Sequence, residues 1–151
     1  MRLMLDSNVA IDYLAKREPF YAGARMLFIL GKLGEVELWF TSAQANDIFY
    51  LLSRGGRRSL LPSVKAAVKE LRSAAHLCGL GEAEFDAALD STWDDLEDAC
   101  VYQAALKVKA DAIITRNQQD FLRSSIKVFD CEELFAWLEA EKGLVYEEIP
   151  R

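Results

Sequence analysis

Three carboxylate side chains of this sequence stand where an acid could do chemistry. Asp6 ends the apolar run LMLD, and Asp120 closely follows the apolar run AIIT. Asp98 ends the acidic stretch DDLED, which leads directly into ACVYQAAL. Oxygen ligands of this kind suit Mg²⁺ or Mn²⁺ better than zinc. If they converge, such acids could hold a cation that activates water against a phosphodiester bond.

The first acids of the DDLED stretch have a structural explanation. Asp90, Ser91 and Thr92 precede the stretch and are suitable N-caps for the helix that follows. Asp94 and Asp95 are then expected in the first turn, where negative charge complements the helix dipole. These acids need no functional role.

Asp98 does not share that explanation. Helical spacing places it on one face with Val101, Ala105 and Val108, and that face is otherwise apolar. A buried carboxylate must be paired, protonated or bound to a cation, because burying an unpaired charge is costly. We therefore favour a functional role for Asp98, with a buried ion pair as the alternative. Glu97 is expected to be an ordinary surface acid.

Other polar residues are weaker candidates when judged alone. Thr115, Asn117 and Asp120 follow the run AII, but all three types are common in turns and caps. Asp47 lies in the helical segment SAQANDIFYLL, where an exposed acid is about as plausible as a ligand. Together with Asp6 and Asp98, these residues would supply oxygen donors from four separate segments.

An alternation of short apolar strands and helices positions these residues. The predicted strands cover residues 3–6, 36–41, 76–80, 112–115 and 126–130. The predicted helices cover residues 9–17, 22–33, 42–54, 61–74, 81–90, 94–108, 116–122 and 131–142. Such alternation indicates parallel strands joined by right-handed crossovers. We therefore predict a three-layer α/β/α sandwich around a parallel sheet of about five strands, a Rossmann-like arrangement.

Ligands of such sheets bind beyond the carboxyl ends of the strands. Asp6 ends the first strand, so its carboxylate is expected at that edge. The alternative for Asp6 is a structural one, as the cap of the next helix, for which Ser7 or Asn8 is also available.

The totals favour one globular domain over residues 1–151, since 151 residues are too few for two ordinary domains. No apolar run is long enough to cross a bilayer, and MRLMLDSN becomes polar too early for a signal peptide. We expect a cytoplasmic protein without a membrane partner. The three cysteines form no CxxC or Cys/His pattern, which argues against a zinc site.

The distribution of charge is more informative than the net charge of −6. Residues 51–80 contain six bases and one acid, a net charge of +5, whereas residues 81–100 contain eight acids and no base. A basic region beside an acidic centre is compatible with a metal-dependent enzyme that acts on phosphodiesters, and equally with a solvated surface.

Four segments of the chain resemble the PIN-domain (PilT N-terminus) family, which includes the VapC-like toxin ribonucleases. They are LDSNVAIDYLAKREPF, TSAQANDIFYLL, DDLEDACVYQAALKVKADAIITRNQQDF and IKVFDCEELF, in the family's order and spacing. The resemblance runs from Met1 to about Trp137. It implies a parallel α/β/α sandwich and a metal-dependent ribonuclease site of converging acids.

The resemblance also assigns individual residues. The first, third and last acids of the family fall on Asp6, Asp98 and Asp120, which would bind Mg²⁺ or Mn²⁺. Asn117 and Thr115 would line the same edge.

Further residues take supporting roles in this comparison. Asp95 would be an outer or second-metal ligand, and Asn8 would support the site. The second acid is usually Glu in the family, whereas here the helix offers Asp47, shorter by one methylene, with Asn46 beside it.

Partners follow from the same resemblance. RNA would be the substrate, a small antitoxin would bind across the site, and the chain would form homodimers. Candidate phosphate contacts are Arg54, Arg57 and Arg58 around the Gly-Gly loop, for which an ordinary solvated loop is the alternative. Arg116 is a further candidate, which could instead pair with a site acid. The alternative function is a catalytically weak or inert PIN scaffold that binds nucleic acid or protein.

Overall fold

A five-stranded parallel sheet forms the centre of the molecule. The computed structural model describes residues 1–147. Within this range the strands are β1 (Arg2–Leu5), β2 (Glu37–Thr41), β3 (Ala75–Cys78), β4 (Ala112–Ile114) and β5 (Lys127–Phe129). They pair in the order β3-β2-β1-β4-β5, all parallel. The predicted sheet and its five strands are confirmed.

Seven α-helices flank the sheet in the described part of the chain. They are α1 (Ser7–Leu14), α2 (Tyr21–Leu33), α3 (Ser42–Leu52), α4 (Leu61–Ala74), α5 (Glu82–Asp90), α6 (Leu96–Lys107) and α7 (Cys131–Lys142). None of them is both long enough and apolar enough to span a membrane.

The alternating side chains of β1 separate two hydrophobic cores. Leu3 and Leu5 pack into a large core with residues of α1, α2, α3, α4 and α7. Met4 points to the other face, where it joins a smaller core with Val101 of α6 and Phe121. Helices therefore cover both faces of the sheet, which gives the predicted three layers.

Gly31 permits the close approach of α2 to the sheet. A methyl group at this position would lie 2.6 Å from Leu38 Cδ1 and 2.7 Å from the carbonyl oxygen of Ala74. Only a residue without a side chain fits between α2, β2 and the end of α4.

Two predicted local structures are wrong. Residues 116–122 do not form a helix; they contain only a 3₁₀ turn, Gln118–Phe121. Helix α6 starts at Leu96 and its N-cap is Asp95, so Asp90, Ser91 and Thr92 do not cap it, and Asp94 lies outside its first turn. Both stretches contain several good cap residues, and spacing alone does not choose among them.

The strand order places a topological switch point between β1 and β4. From β1 the chain proceeds through β2 to β3 on one side, and it then crosses to β4 on the other side. The neighbouring strand ends, Leu5 and Ile114, are paired in register. In sheets of this type the crevice beyond such a point is the usual place for a ligand.

Candidate active site

Asp6 lies directly beyond β1 at the switch point. Its backbone N–H donates to the carbonyl of Ile114 at 2.9 Å, which anchors it to β4. Its Oδ1 accepts a hydrogen bond from the Ser7 N–H at 2.7 Å, so Asp6 is the N-cap of α1. The structural alternative considered for Asp6, as the cap of the next helix, is therefore confirmed, whereas Ser7 and Asn8 do not cap the helix. Capping uses one carboxylate oxygen of Asp6, and the other oxygen faces the carboxyl ends of the strands.

The second oxygen of Asp6 belongs to a hydrogen-bond network. Thr115 Oγ1 donates to Asp6 Oδ2 at 2.8 Å, and the Asn8 side-chain amide donates to the same atom at 3.0 Å. The Asn117 N–H in turn donates to Thr115 Oγ1 at 3.0 Å. The structure therefore brings Asp6, Asn8, Thr115 and Asn117 together. Burial raises the pKa of Asp6, which these donors only partly oppose.

Asp98 lies in the first turn of α6, half-buried beside this network. Its backbone N–H donates to Asp95 Oδ1 at 3.0 Å, which fixes the start of the helix. Burial raises the pKa of Asp98 to about 7, and the charges of Asp6, Asp95 and Asp120 add to the effect. In the described part of the chain no Lys or Arg forms an ion pair with Asp98. The ion-pair alternative for Asp98 therefore has no partner among these residues.

Asp120 projects from the 3₁₀ turn after β4 and is exposed. Its charge raises the pKa of both Asp6 and Asp98. Asp95, Asp98 and Asp120 also line one cleft of about 200 Å³, together with Trp93 and Arg123. The three acids identified from the sequence thus act on one another electrostatically across the same edge of the sheet.

Asp47 faces a neighbouring groove. It is exposed on α3, and Asn46 beside it is exposed as well. Asp47 and Glu97 line a groove of about 360 Å³ between α3 and α6. The pKa of Glu97 is raised by burial and then by the charges of Asp47 and Asp6. Glu97 is exposed, as expected of a surface acid, yet the charges of both Asp47 and Asp6 act on it.

Of the four arginine candidates, Arg116 lies near the acids, since its charge acts on Asp6 and it lines a cleft with Asp120. Three other candidates are exposed and lie beyond the end of α3: Arg54, Arg57 and Arg58. Helix α3 has 11 residues, so its length separates them from Thr41 by about 16 Å. Arg116 follows β4, but its Nε donates to Asp12 Oδ2 at 2.7 Å. Of the two roles considered for Arg116, it pairs with an acid, and that acid is outside the predicted set.

The sequence predicted no role for Asp12 and only an ordinary surface position for Glu97. Asp12 is 1% exposed within α1, and its partner is 104 positions away in the chain. A single acid in an amphipathic helix gives no signal of such pairing. The position of Glu97 could have been predicted from helical spacing. It lies three positions, or about one turn, before Cys100 and one turn from the apolar face of the helix.

The donor chemistry of the site fits a hard cation. The candidate ligands Asp6, Asp98 and Asp120 offer only oxygen, and their repulsion for one another would be relieved by positive charge. As they lie, no three His, Cys, Asp or Glu side chains within residues 1–147 are grouped closely enough to hold a metal ion. A cation would need to draw the carboxylates together.

Comparison with known proteins shows the family of this chain. A family model described as PIN domain matches residues 2–119, more than three quarters of the chain. The chain is also similar to Ribonuclease VapC1 of Aquifex aeolicus (strain VF5), with 24% identity over 137 residues that cover 87% of this chain and 92% of the relative.

Solved structures share the fold at low sequence identity. One is VapBC2 from Rickettsia felis bound to a DNA fragment from their promoter, with a TM-score of 0.65 and 14% identity over 86% of this chain and 98% of the other. Another is VapBC-1 from nontypeable Haemophilus influenzae, with a TM-score of 0.61 and 17% identity over 87% and 99%. A third is FitAB bound to the IR36 DNA fragment, with a TM-score of 0.60 and 12% identity over 85% and 94%. With the family match over most of its length, the chain belongs to the PIN domain family.

Proposed function

We propose that this protein is a Mg²⁺- or Mn²⁺-dependent ribonuclease and the toxin of a toxin–antitoxin pair. One observation supports the proposal above the others. Asp98 has no basic partner in the described residues, and neighbouring acids help to raise its pKa to about 7. An acidic cluster of this kind in a ligand crevice is typical of a site that works with a bound cation.

Asp6, Asp98 and Asp120 would hold the cation in this proposal. Asp6 is oriented before binding, since Ser7, Asn8 and Thr115 fix both of its oxygens. When bound, the cation would lower the pKa of a water molecule and stabilise charge on the departing oxygen of a phosphodiester. No side-chain nucleophile is required.

Asp95 and Glu97 would have secondary roles. The Asp95 carboxylate already caps α6 through one oxygen, which leaves the other free to serve an outer or second cation. The charges of Asp47 and Asp6 both act on Glu97, which would extend the acidic edge toward α3. In this arrangement Glu97 makes up for the shorter, exposed side chain of Asp47.

The proposed antitoxin follows from the names of the relatives. The similar structures are described as VapBC and FitAB assemblies, two of them bound to DNA. We propose a small protein partner that covers the acidic edge, a homodimeric toxin and a cytoplasmic location. A short neighbouring reading frame that encodes a DNA-binding protein would support this partner.

One observation favours the alternative, a PIN scaffold without strong catalysis. The acids do not form a ready metal cluster within residues 1–147, and Asp47 is exposed. Such a protein would bind nucleic acid or protein without cleaving RNA.

RNA cleavage distinguishes the two functions. We expect the purified chain to cleave single-stranded RNA with Mn²⁺ or Mg²⁺ and to stop when a chelator is added. Asp98→Asn should abolish cleavage, whereas Asp86→Asn should retain it, because Asp86 is exposed on α5 and does not line the acidic cleft. Equal activity of the two variants would refute the assigned role of Asp98.

A further inference from the structure

Helix α4 and the turn before it carry a row of basic side chains, which we call the basic stripe. Its members are Arg58, Lys65, Lys69 and Arg72. The three bases on the helix follow one another at spacings of four and three residues, so they lie on one face of α4. All four members are exposed, whereas Val64 and Leu71 of the same helix are buried.

The protein does not neutralise the basic stripe itself. Within residues 1–147 none of its members forms an ion pair or lies over an aromatic ring. Glu70 is the one acid among residues 51–80, and its carboxylate is paired with Lys32 and accepts a hydrogen bond from the Tyr13 hydroxyl at 2.9 Å. Like charges one turn apart on a helix repel each other, so the stripe does not contribute to the stability of the fold.

The unpaired bases indicate a partner with many negative charges. The chain contains 24 acids and has a net charge of −6, so a shortage of acids does not explain why the stripe has none beside it. Surfaces that serve only solubility usually mix both signs of charge. A nucleic acid backbone presents a regular row of phosphates, and Lys and Arg bind it by displacing its counterions.

Two grooves connect the basic stripe with the acidic edge of the sheet. The first has a volume of about 500 Å³ and lies between α3 and α4, where its lining includes Ala43 and Val68. Val68 directly precedes Lys69 of the stripe. The second is the groove between α3 and α6 that contains Asp47 and Glu97, and Ala43 lines it as well. A strand bound along α4 would therefore lie beside the proposed site of cleavage.

We propose that the basic stripe binds the phosphate backbone of the single-stranded RNA substrate. This inference rests on the proposed ribonuclease function and adds the surface that holds the substrate next to the acids. Clustered carboxylates repel phosphate, so affinity for RNA must come from bases elsewhere on the chain. Contacts to phosphates carry no sequence information, and the stripe therefore binds RNA without selecting its sequence.

The salt dependence of RNA binding tests the stripe without any cleavage. A short, fluorescently labelled single-stranded RNA is titrated with the full chain in a chelating buffer at several KCl concentrations, and anisotropy gives the dissociation constant. Each phosphate contact contributes about 0.7 to the slope of log affinity against log salt. The double variant Lys65→Gln/Lys69→Gln should therefore reduce the slope by about 1.4 and weaken binding about tenfold or more at about 0.1 M salt.

A second double variant removes the same charge elsewhere. Lys127 and Lys142 are exposed and lie over the Trp137 ring. Lys127 begins β5, at the opposite end of the sheet from β3, which follows α4. Lys127→Gln/Lys142→Gln should leave the slope unchanged. Thermal unfolding checks both variants, and the stripe variant should melt no lower than the wild type, because its two lysines have no partner in the described residues.

Each outcome bears on one proposal. An unchanged slope in the stripe variant, an equal loss in the control variant, or no RNA binding by the wild type would overturn RNA binding by the stripe. A stripe variant that keeps its affinity for RNA but loses self-association in light scattering would also overturn it, in favour of the acidic residues of a second copy. RNA cleavage with an unchanged slope refutes the stripe alone, and stripe-dependent binding without cleavage in Mn²⁺ refutes the ribonuclease alone.

Discussion

Replacing Asp98 with asparagine should stabilise the metal-free protein at pH 8 and change it little at pH 5. In the folded protein, burial and nearby acids raise the pKa of Asp98 to about 7. In the unfolded chain the pKa returns to about 3.9. The folded state then binds the proton more tightly, so its stability falls as the pH rises from about 4 to about 7. Because asparagine does not ionise, Asp98→Asn removes this loss of stability at high pH.

The magnitude follows from the same values. The difference between the ordinary pKa of 3.8 and about 7 corresponds to about 4 kcal/mol if all of it reached stability. Asp98 is only half-buried, and solvent screening reduces this to about 1–2 kcal/mol. Losing a negative charge in the first turn of α6 costs about 0.3–1 kcal/mol. A net gain of about 1 kcal/mol should raise the melting temperature by about 2–4 °C.

Thermal unfolding in a chelating buffer measures this effect. The wild type, Asp98→Asn and Asp94→Asn are compared at pH 5 and pH 8. Asp94→Asn is the matched control, because the Asp94 side chain is 99% exposed. A lower melting temperature of Asp98→Asn at pH 8, or the same gain at both pH values, would show that neighbouring acids do not destabilise the Asp98 carboxylate.

Three other substitutions test the elements that position the site. Each is measured by its effect on the urea concentration at the midpoint of unfolding. Asp95→Ala should cost about 1 kcal/mol, because it removes the side-chain cap of α6; no loss would show that the cap is dispensable. Gly31→Ala should cost about 1–3 kcal/mol, because the methyl group would lie 2.7 Å from the Ala74 carbonyl oxygen; a wild-type midpoint would mean that α2 can shift. Thr115→Val should cost about 1–3 kcal/mol and raise the pKa of Asp6 further, because the buried carboxylate loses a donor; an unchanged midpoint and Asp6 titration by NMR would contradict this.

Sequence patterns predicted the sheet well because its strands are buried. Runs such as LML and AII occupy central strands covered on both faces, and this burial makes them continuously apolar. The helix face of Asp98 is set in a similar way, since Val101 and Ala105 on that face are buried in the core. Where burial determines the spacing of apolar residues, that spacing predicts which positions are buried.

The residue at which a helix starts and the pairing of side chains distant in the sequence could not be predicted in the same way. The choice of Asp95 over Asp90 as the cap of α6 depends on where α5 ends, and both acids suit the role. Asp12 lies in α1 and Arg116 lies in the loop after β4. Only the folded sheet brings these two positions together. Electrostatic environments of this kind depend on tertiary contacts, which periodicity does not encode.

The binding of Mn²⁺ to the wild type and to Asp98→Asn tests the central claim most directly. At about 100 times the dissociation constant, Mn²⁺ should stabilise the wild type by about 2.7 kcal/mol, measured as the shift in thermal unfolding. The shift should be lost in Asp98→Asn and retained in Asp86→Asn, since Asp86 is exposed on α5 and does not line the acidic cleft. Absence of a shift in the wild type, or the same shift in Asp98→Asn, would contradict a cation site built from Asp6, Asp98 and Asp120.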